Sequence, residues 1–281
     1  MRAGNGKPVG RLDGKTAVIT GGASGIGEGS VRAFVAEGAN VVIADLRLDA
    51  AQALAEELGD AAIGVAADVS AEADVAAAVD AAVEHFGRLD CMFNNAGIVG
   101  AVGPIAEMDV ADFDRTIAVL LRGPFLGIKH AARVMGPQGS GSIITTASTA
   151  GLAGGLGPHG YTTAKHGVVG LTRSAASELA DDGIRVNAIA PGNIVTNMTA
   201  RLGPGDADFE QAKTAIAKSS PLGIAGEPSD IAFAAVYLAS DESRYMSGET
   251  ILIDSGFLAG AGRKGGFHRG GSAMITGIAG T

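Results

Sequence analysis

A tyrosine and a lysine four residues apart, Tyr161 and Lys165, are the pair of side chains in this sequence best suited to acid–base chemistry. The segment 161–179 has helical character, so both side chains project from one helix face. A lysine ammonium about 4 Å from the phenol, at an effective dielectric of about 20, stabilises the phenolate by about 4 kcal/mol. That free energy lowers a tyrosine pKa from about 10 to about 7. Tyr161 is therefore a candidate general acid or base near neutral pH, although the spacing alone also fits an ordinary exposed helix pair.

A third polar side chain, Ser148, follows the predicted fifth strand and precedes Tyr161 in the chain. Ligands of a doubly wound sheet bind beyond the carboxyl ends of its strands. Ser148 could there hydrogen-bond a substrate oxygen or a developing alkoxide. The alternative is a hydroxyl that only caps the end of the strand. Ser148, Tyr161 and Lys165 together form the predicted catalytic set.

A glycine-rich loop follows the first predicted strand and leads into a helical pattern. Glycines allow a sharp turn and a close approach of backbone N–H groups to a pyrophosphate, while the N-terminal end of the following helix attracts that anion. A tight turn without a ligand is the alternative. The predicted phosphate-binding residues are Gly21, Ser24, Gly25, Ile26 and Gly27.

An aspartate at the end of the second predicted strand, Asp45, supports a nucleotide site. It lies 18 residues beyond Gly27, near the spacing at which a carboxylate binds the adenosine ribose hydroxyls. The same carboxylate would repel a 2′-phosphate, so we expect NAD rather than NADP, with Leu46 beside Asp45 in the site. Arg47 is the counter-argument because a guanidinium binds phosphate, but we interpret it as a solvated loop residue.

Short β-branched runs alternate with helical patterns along the chain, which indicates βαβ units. Such units produce an α/β fold with a doubly wound, Rossmann-type parallel sheet and helices on both faces. Seven strands are predicted, at 16–20, 40–45, 62–68, 90–94, 142–146, 185–190 and 250–254.

The domain organisation follows from the ends of this pattern. We predict a flexible extension over residues 1–11, one Rossmann-type domain over 12–256 and a glycine-rich tail over 257–281. The segment 195–221 is long for a connection inside a compact domain, so we predict that it forms a lid over the substrate.

The composition limits the class of protein. With 281 residues, 47% of them hydrophobic, the chain can bury one core. A net charge of −9 argues against nucleic acid or an anionic membrane as partner. Cys91 is the single cysteine, and no apolar run reaches about 18 residues. We therefore expect a cytoplasmic protein, and we assign no metal ligands.

The motifs together resemble those of the short-chain dehydrogenase/reductase family from about residue 12 to residue 256. Besides the glycine loop and the Ser148, Tyr161 and Lys165 set, the resemblance rests on three further motifs. They are Asp68-Val69 after the third strand, Asn94-Asn95-Ala96-Gly97 after the fourth, and Pro191-Gly192-x-x-x-Thr196 after the sixth.

The resemblance implies roles for these residues. Asp68 and Val69 would hold the adenine, while Asn95, Ala96 and Gly97 would stabilise the central strand and line the cofactor. Lys165, with Tyr161, would also bind the nicotinamide ribose. Around the nicotinamide, Pro191 and Gly192 would form the turn that admits the ring, Ile194 would pack at the carboxamide edge and Thr196 would hold the carboxamide. A homotetramer is also implied.

Two positions depart from the family pattern. Leu120 stands where an asparagine commonly links the lysine to solvent through water, and a leucine side chain cannot hydrogen-bond. We expect another backbone or water route to serve. Ser255 stands where the family often has the first of two glycines after Asp254; we expect this change to be structural and harmless.

The resulting expectation is an NAD-dependent oxidoreductase that transfers a hydride between nicotinamide and a secondary alcohol or ketone, with Tyr161 as general acid or base. The apolar, glycine-rich stretch 151–157 hints at a hydrophobic substrate. One alternative is an NADPH-linked 3-oxoacyl carrier-protein reductase, against which Ser24 and Asp45 count. The other, motivated by Leu120, is an NAD-binding sensor or scaffold without turnover.

Overall fold

The computed structural model describes residues 10–201 and 208–260, which form one α/β domain. Its strands are β1 (Thr16–Thr20), β2 (Asn40–Asp45), β3 (Ala62–Ala66), β4 (Cys91–Asn94), β5 (Gly141–Thr146), β6 (Ile184–Pro191) and β7 (Thr250–Ile253). Its helices are α1 (Gly25–Ala36), α2 (Leu48–Leu58), α3 (Glu72–Phe86), α4 (Val110–Ile117), α5 (Gly123–Gln138), α6 (His159–Leu179), α7 (Asn197–Ala200), α8 (Phe209–Ser219) and α9 (Pro228–Ala239).

All seven strands are parallel, in the order β3-β2-β1-β4-β5-β6-β7. The order reverses between β1 and β4, because the chain winds outward first on one side of β1 and then on the other. That reversal opens a crevice at the carboxyl ends of the strands, where ligands of such sheets bind. The predicted seven-stranded, doubly wound sheet is confirmed.

Two hydrophobic cores cover the two faces of the sheet. One lies under α1, α2 and α9 and contains Phe34 and Phe93, which are fully buried. The other lies under α3, α5 and α6 and contains Met92 and Met135. Because the central strands are buried on both faces, their sequences are continuous apolar runs such as the Val-Val-Ile-Ala of β2.

The strand boundaries differ from the predicted ones by at most two residues. The third strand ends at Ala66 instead of residue 68 because the Asp68 carboxylate accepts hydrogen bonds from the N–H and the hydroxyl of Ser70, which turns the chain. The fourth begins at Cys91 instead of residue 90, where the Asp90 carboxylate accepts the N–H of Thr16.

The chain ends are described only in part. Leu12 is buried in the first core, and Arg11 donates its N–H to Glu37 and its guanidinium to Glu242. The packed domain thus already includes Arg11, which we had placed in the extension, because these contacts fix it. Residues 1–9 and 261–281, which make up most of the predicted extension and tail, lie outside the described residues, as do 202–207 of the predicted lid.

We also compared the described helices with the length and hydropathy of a membrane-spanning helix. Within residues 10–201 and 208–260, none combines the length and the apolar character that crossing a bilayer requires.

Candidate active site

The glycine loop between β1 and α1 has the backbone geometry of a close ligand approach. Gly21 and Gly25 adopt φ values of +62° and +55°, which favour glycine. A Cβ at Gly27 would lie 2.0 Å from the Gly21 carbonyl oxygen, so only glycine fits there. These glycines fold the loop tightly onto the N-terminus of α1, with Ser24 at the N-cap. The resulting cradle at the helix N-terminus suits an anion such as a pyrophosphate.

Asp45 lies beside this cradle, at the end of β2. Its carboxylate is nearly buried and accepts the N–H of Ala23 and the N–H of Arg47, each at 3.0 Å. A carboxylate offers about four lone-pair positions, so acceptor sites remain for ribose hydroxyls. The Arg47 guanidinium lies 3.5 Å from Asp45; it is thus paired with the aspartate rather than simply solvated. The Leu46 side chain is exposed at the same edge.

Asn95 connects three strands at the switch point of the sheet. Its side-chain amide donates to the Thr20 carbonyl at 3.1 Å, and its side-chain oxygen accepts the Thr146 hydroxyl at 3.2 Å. The N–H groups of Asn95 and Ala96 both donate to the Thr20 hydroxyl. These bonds fix the ends of β1, β4 and β5 relative to one another, as the resemblance implied for this motif.

The loops after β3 and β6 reach the same edge of the sheet. After β3, Val69 packs against Gly123 at the start of α5, while hydrogen bonds from Ser70 lower the pKa of Asp68. After β6, the Gly192 N–H donates to Ile253, and Thr196 caps α7. The Thr196 methyl group would lie 3.2 Å from a Cβ at Gly25, which brings this loop against the glycine loop.

Ser148 and Tyr161 meet at the carboxyl end of β5. Ser148 begins a short 3-10 turn, Thr149–Gly151, and accepts the Ala150 N–H at 3.1 Å. Tyr161 lies in the first turn of α6. Burial raises the pKa of Tyr161, and a hydrogen bond with Ser148 opposes part of that rise. The two side chains that we predicted to share one substrate oxygen are thus neighbours.

Lys165 lies one helical turn beyond Tyr161 and is almost fully buried. Its ammonium donates to the Thr146 carbonyl at 2.6 Å and lies 5.5 Å from the centre of the Tyr161 ring. Burial lowers the pKa of Lys165 to about 8. Burial of both groups thus opposes the predicted lowering of the Tyr161 pKa by Lys165.

Leu120 lies at the back of the site and is fully buried. It belongs to a π-helical turn, Ala118–Arg122, which links α4 to α5. Its side chain would lie 3.3 Å from a Cβ at Gly97, and the neighbouring Leu121 packs against Gly167 of α6. The position is therefore filled by apolar packing.

A cavity of about 370 Å³ adjoins the predicted nicotinamide end of the site. On one side it is lined by Thr149, next to Ser148, and by Gly192 and Ile194. It is also lined by Ile216, Ser220 and Pro221 of the predicted lid, and by residues that sequence reasoning did not select: Leu222, Phe233 and Phe257. They come from α8, α9 and the turn after β7, and no local sequence pattern indicates that these segments converge.

Known proteins resemble this chain over nearly the whole domain. A family model described as Enoyl-(Acyl carrier protein) reductase matches residues 21–258. Momilactone A synthase of Oryza sativa subsp. japonica is 50% identical over 250 residues, which cover 88% of this chain and 90% of that protein. The mitochondrial borneol dehydrogenase of Lavandula x intermedia is 49% identical over 247 residues, which cover 88% of this chain and 91% of that protein. The structure of a short-chain type dehydrogenase/reductase from Mycobacterium marinum superposes on this one with a TM-score of 0.80 at 35% identity. The match covers 88% of this chain and 96% of that chain.

The buried ammonium of Lys165 generates a prediction about stability and pH. The unfolded chain keeps the lysine proton up to a pKa near 10.5, whereas the folded chain releases it near 8, so rising pH favours the folded state in this range. Relative to K165M, the wild-type free energy of unfolding should increase by about 2–3 kcal/mol between pH 7 and pH 10. Urea denaturation of both proteins across this range measures the difference.

The matched control is K218M, which removes an ammonium from an exposed position of α8. A difference between wild type and K165M that stays constant with pH would contradict the burial of a charged lysine at this site.

Proposed function

Since this chain belongs to the short-chain dehydrogenase/reductase family, we propose that it transfers a hydride between a secondary alcohol or its ketone and NAD, with Tyr161 as general acid or base. The family and the enzyme class that the motifs predicted are confirmed: the chain is an oxidoreductase that acts on CH–OH groups. A sensor or scaffold without turnover is no longer needed to explain Leu120.

The observation that carries the proposal is the arrangement of Tyr161 and the buried Lys165 one turn apart on α6, with the ammonium 5.5 Å from the centre of the Tyr161 ring. Lys165 also packs against Gly151 of the 3-10 turn that Ser148 begins. In the oxidation direction, Ser148 orients the substrate oxygen and Tyr161 accepts the hydroxyl proton as the carbon loses its hydride. A nicotinamide dinucleotide held at this site would supply the hydride acceptor, and its positive charge would favour the ionised phenol of Tyr161. In the reverse direction Tyr161 returns the proton.

Residues along the strand ends would hold the dinucleotide. The fit rests on the tight loop at Gly21, Gly25 and Gly27, where an added Cβ would be strained or would crowd Ala96, Thr196 or the Gly21 carbonyl. Asp45 and Leu46 would bind the adenosine ribose, and Asp68 and Val69 the adenine. Around the nicotinamide half we assign Asn95, Ala96, Gly97, Tyr161, Lys165, Pro191, Gly192, Ile194 and Thr196.

The choice of NAD over NADP rests on the pairing at the end of β2. A 2′-phosphate would approach the Asp45 carboxylate, which is fixed by two backbone N–H groups and cannot turn away. Arg47 is already engaged by Asp45, so binding a phosphate would require it to leave that carboxylate. The same argument disfavours the NADPH-linked 3-oxoacyl reductase as a function for this chain.

The substrate that we propose has an apolar body. The cavity has several large apolar lining residues, among them Ile216, Leu222 and Phe233. Its polar lining residues include Asn193, Ser219, Ser220, Asp230, Asp254 and Ser255. A cavity of this size, with a few polar groups at one end, is typical of sites for small organic ligands. Borneol dehydrogenase, a relative of nearly half-identical sequence, is named for an alcohol of this apolar kind.

We also propose a homotetramer in the cytoplasm. Large apolar side chains are exposed in two separate places, Val110 and Phe125 on α4 and α5, and Leu252 on the edge strand β7. Two separate self-complementary faces are what a tetramer with three two-fold axes requires. The only cysteine, Cys91, is buried with a pKa raised to about 12, which fits a reducing compartment.

Replacing the proposed proton carrier tests the reaction. Y161F should lower turnover of an apolar cyclic secondary alcohol with NAD by about 100- to 10,000-fold, because the ring remains but the ionisable hydroxyl is lost. Binding of NADH, followed by its fluorescence, should change little. Y245F removes a hydroxyl from a fully exposed position and is the control. Undiminished turnover in Y161F would refute the assignment.

A second substitution tests the cofactor preference. D45A removes a charged hydrogen-bond acceptor from the ribose, a loss of about 1.5–3 kcal/mol, so kcat/KM with NAD should fall by about 10- to 100-fold. Activity with NADP should fall less or rise, since the repulsion disappears. The control is D49A, at an exposed position in the first turn of α2. An unchanged ratio of the two activities would exclude Asp45 as the selecting group.

The oligomeric state has its own measurement. Light scattering coupled to size exclusion should give four times the chain mass. F125D places a charge on one of the two apolar faces and should leave a particle of half that mass, because the other face is intact. A monomeric wild-type protein would contradict the proposed assembly.

A further inference from the structure

Ser255, in the turn after β7, has an unusual backbone conformation. Its φ of +61° makes it the one non-glycine residue in the left-handed region among residues 10–201 and 208–260. A side chain with a Cβ is disfavoured in that region, where glycine is preferred. The following residue, Gly256, continues the left-handed turn at +81°. A glycine at position 255 would therefore adopt this backbone conformation with less strain than the serine does.

The turn is held in place from both ends. The Asp254 carboxylate accepts the N–H of Gly256 at 2.8 Å and the N–H of Leu258 at 2.7 Å. The Ser255 hydroxyl accepts the Leu222 N–H at 2.9 Å and lies 2.7 Å from the Ser220 hydroxyl. Donating its own proton to Ser220 while accepting from Leu222 satisfies the Ser255 hydroxyl in both roles.

These bonds cross between two segments that are far apart in sequence. Ser220 and Leu222 follow directly after α8, whereas Ser255 follows β7. All three line the same cavity, whose lining also includes Thr149, next to Ser148, and Ile194. A glycine at 255 would leave the Leu222 N–H and the Ser220 hydroxyl without this partner.

We propose that Ser220 and Ser255 form a serine latch that fixes the end of α8 against the turn after β7 and so positions the apolar wall of the substrate cavity. The latch residues are positioning residues: they set how tightly the apolar body of the substrate is held, and they take no part in proton or hydride transfer. This inference rests on the proposed function, since it assigns the cavity to the substrate. It also gives a reason for a strained serine where the family often has glycine.

The kinetic test compares S220A, S255G and the double variant with wild type. Each single change removes the hydroxyl pair, so KM for an apolar secondary alcohol should rise about two- to tenfold, while kcat, the pH profile and KM for NAD stay within about twofold. Because both changes break one contact, the double variant should be little worse than S255G. S174A, at an exposed position of α6, is the serine-to-alanine control.

A second readout is independent of activity. Hydrogen exchange of the segment 216–224, measured by mass spectrometry, should accelerate in S255G because the Leu222 N–H loses its acceptor, and should change less in S220A, which keeps that bond. Wild-type exchange in S255G would overturn the latch. An unchanged substrate KM in both single variants would overturn its role in substrate binding. Absence of alcohol turnover in the wild type would instead refute the proposed function, and the exchange result would still decide the latch.

Discussion

A lysine ammonium held in a nearly water-free position is the constraint around which the site is arranged. Lys165 has no carboxylate partner in the part of the chain that the structure describes; it is held by the Thr146 carbonyl alone. Burying a cation in this way costs free energy, and the lowered pKa of Lys165 reflects that cost. The rest of the domain must compensate, and its two continuous cores do so through apolar burial.

The position of that ammonium depends on the topology of the sheet. Thr146 ends β5, and its hydroxyl donates to Asn95 at the end of β4, which in turn bonds to the end of β1. One chain of hydrogen bonds thus connects the lysine acceptor, the switch point and the glycine loop. Because these are bonds between strand ends within one sheet, the distance from the nucleotide cradle to Tyr161 is fixed by the fold and not by flexible loops.

The spacing of residues in the sequence predicts the parts of the site that lie within one strand or helix. It does not predict the features that depend on burial or on packing between distant segments. The glycine loop, Asp45 and the Tyr161–Lys165 pair could be predicted because each depends on spacing within one strand or helix. The sign of the Tyr161 pKa shift could not, because it depends on how much of both groups the fold buries. The part of the cavity wall outside the predicted lid was also missed, since Leu222, Phe233 and Phe257 come from three segments that only the fold brings together.

Leu120, which stands where the family commonly has an asparagine, lies in a π-helical turn whose geometry has a local cause in the sequence. Residue 124 is a proline and has no N–H to donate to the carbonyl of residue 120, four residues before it. This gives a physical reason for the π-helical turn at Ala118–Arg122, and it leaves the Leu120 carbonyl without its α-helical partner. The expectation that a backbone or water route serves Lys165 stays a prediction.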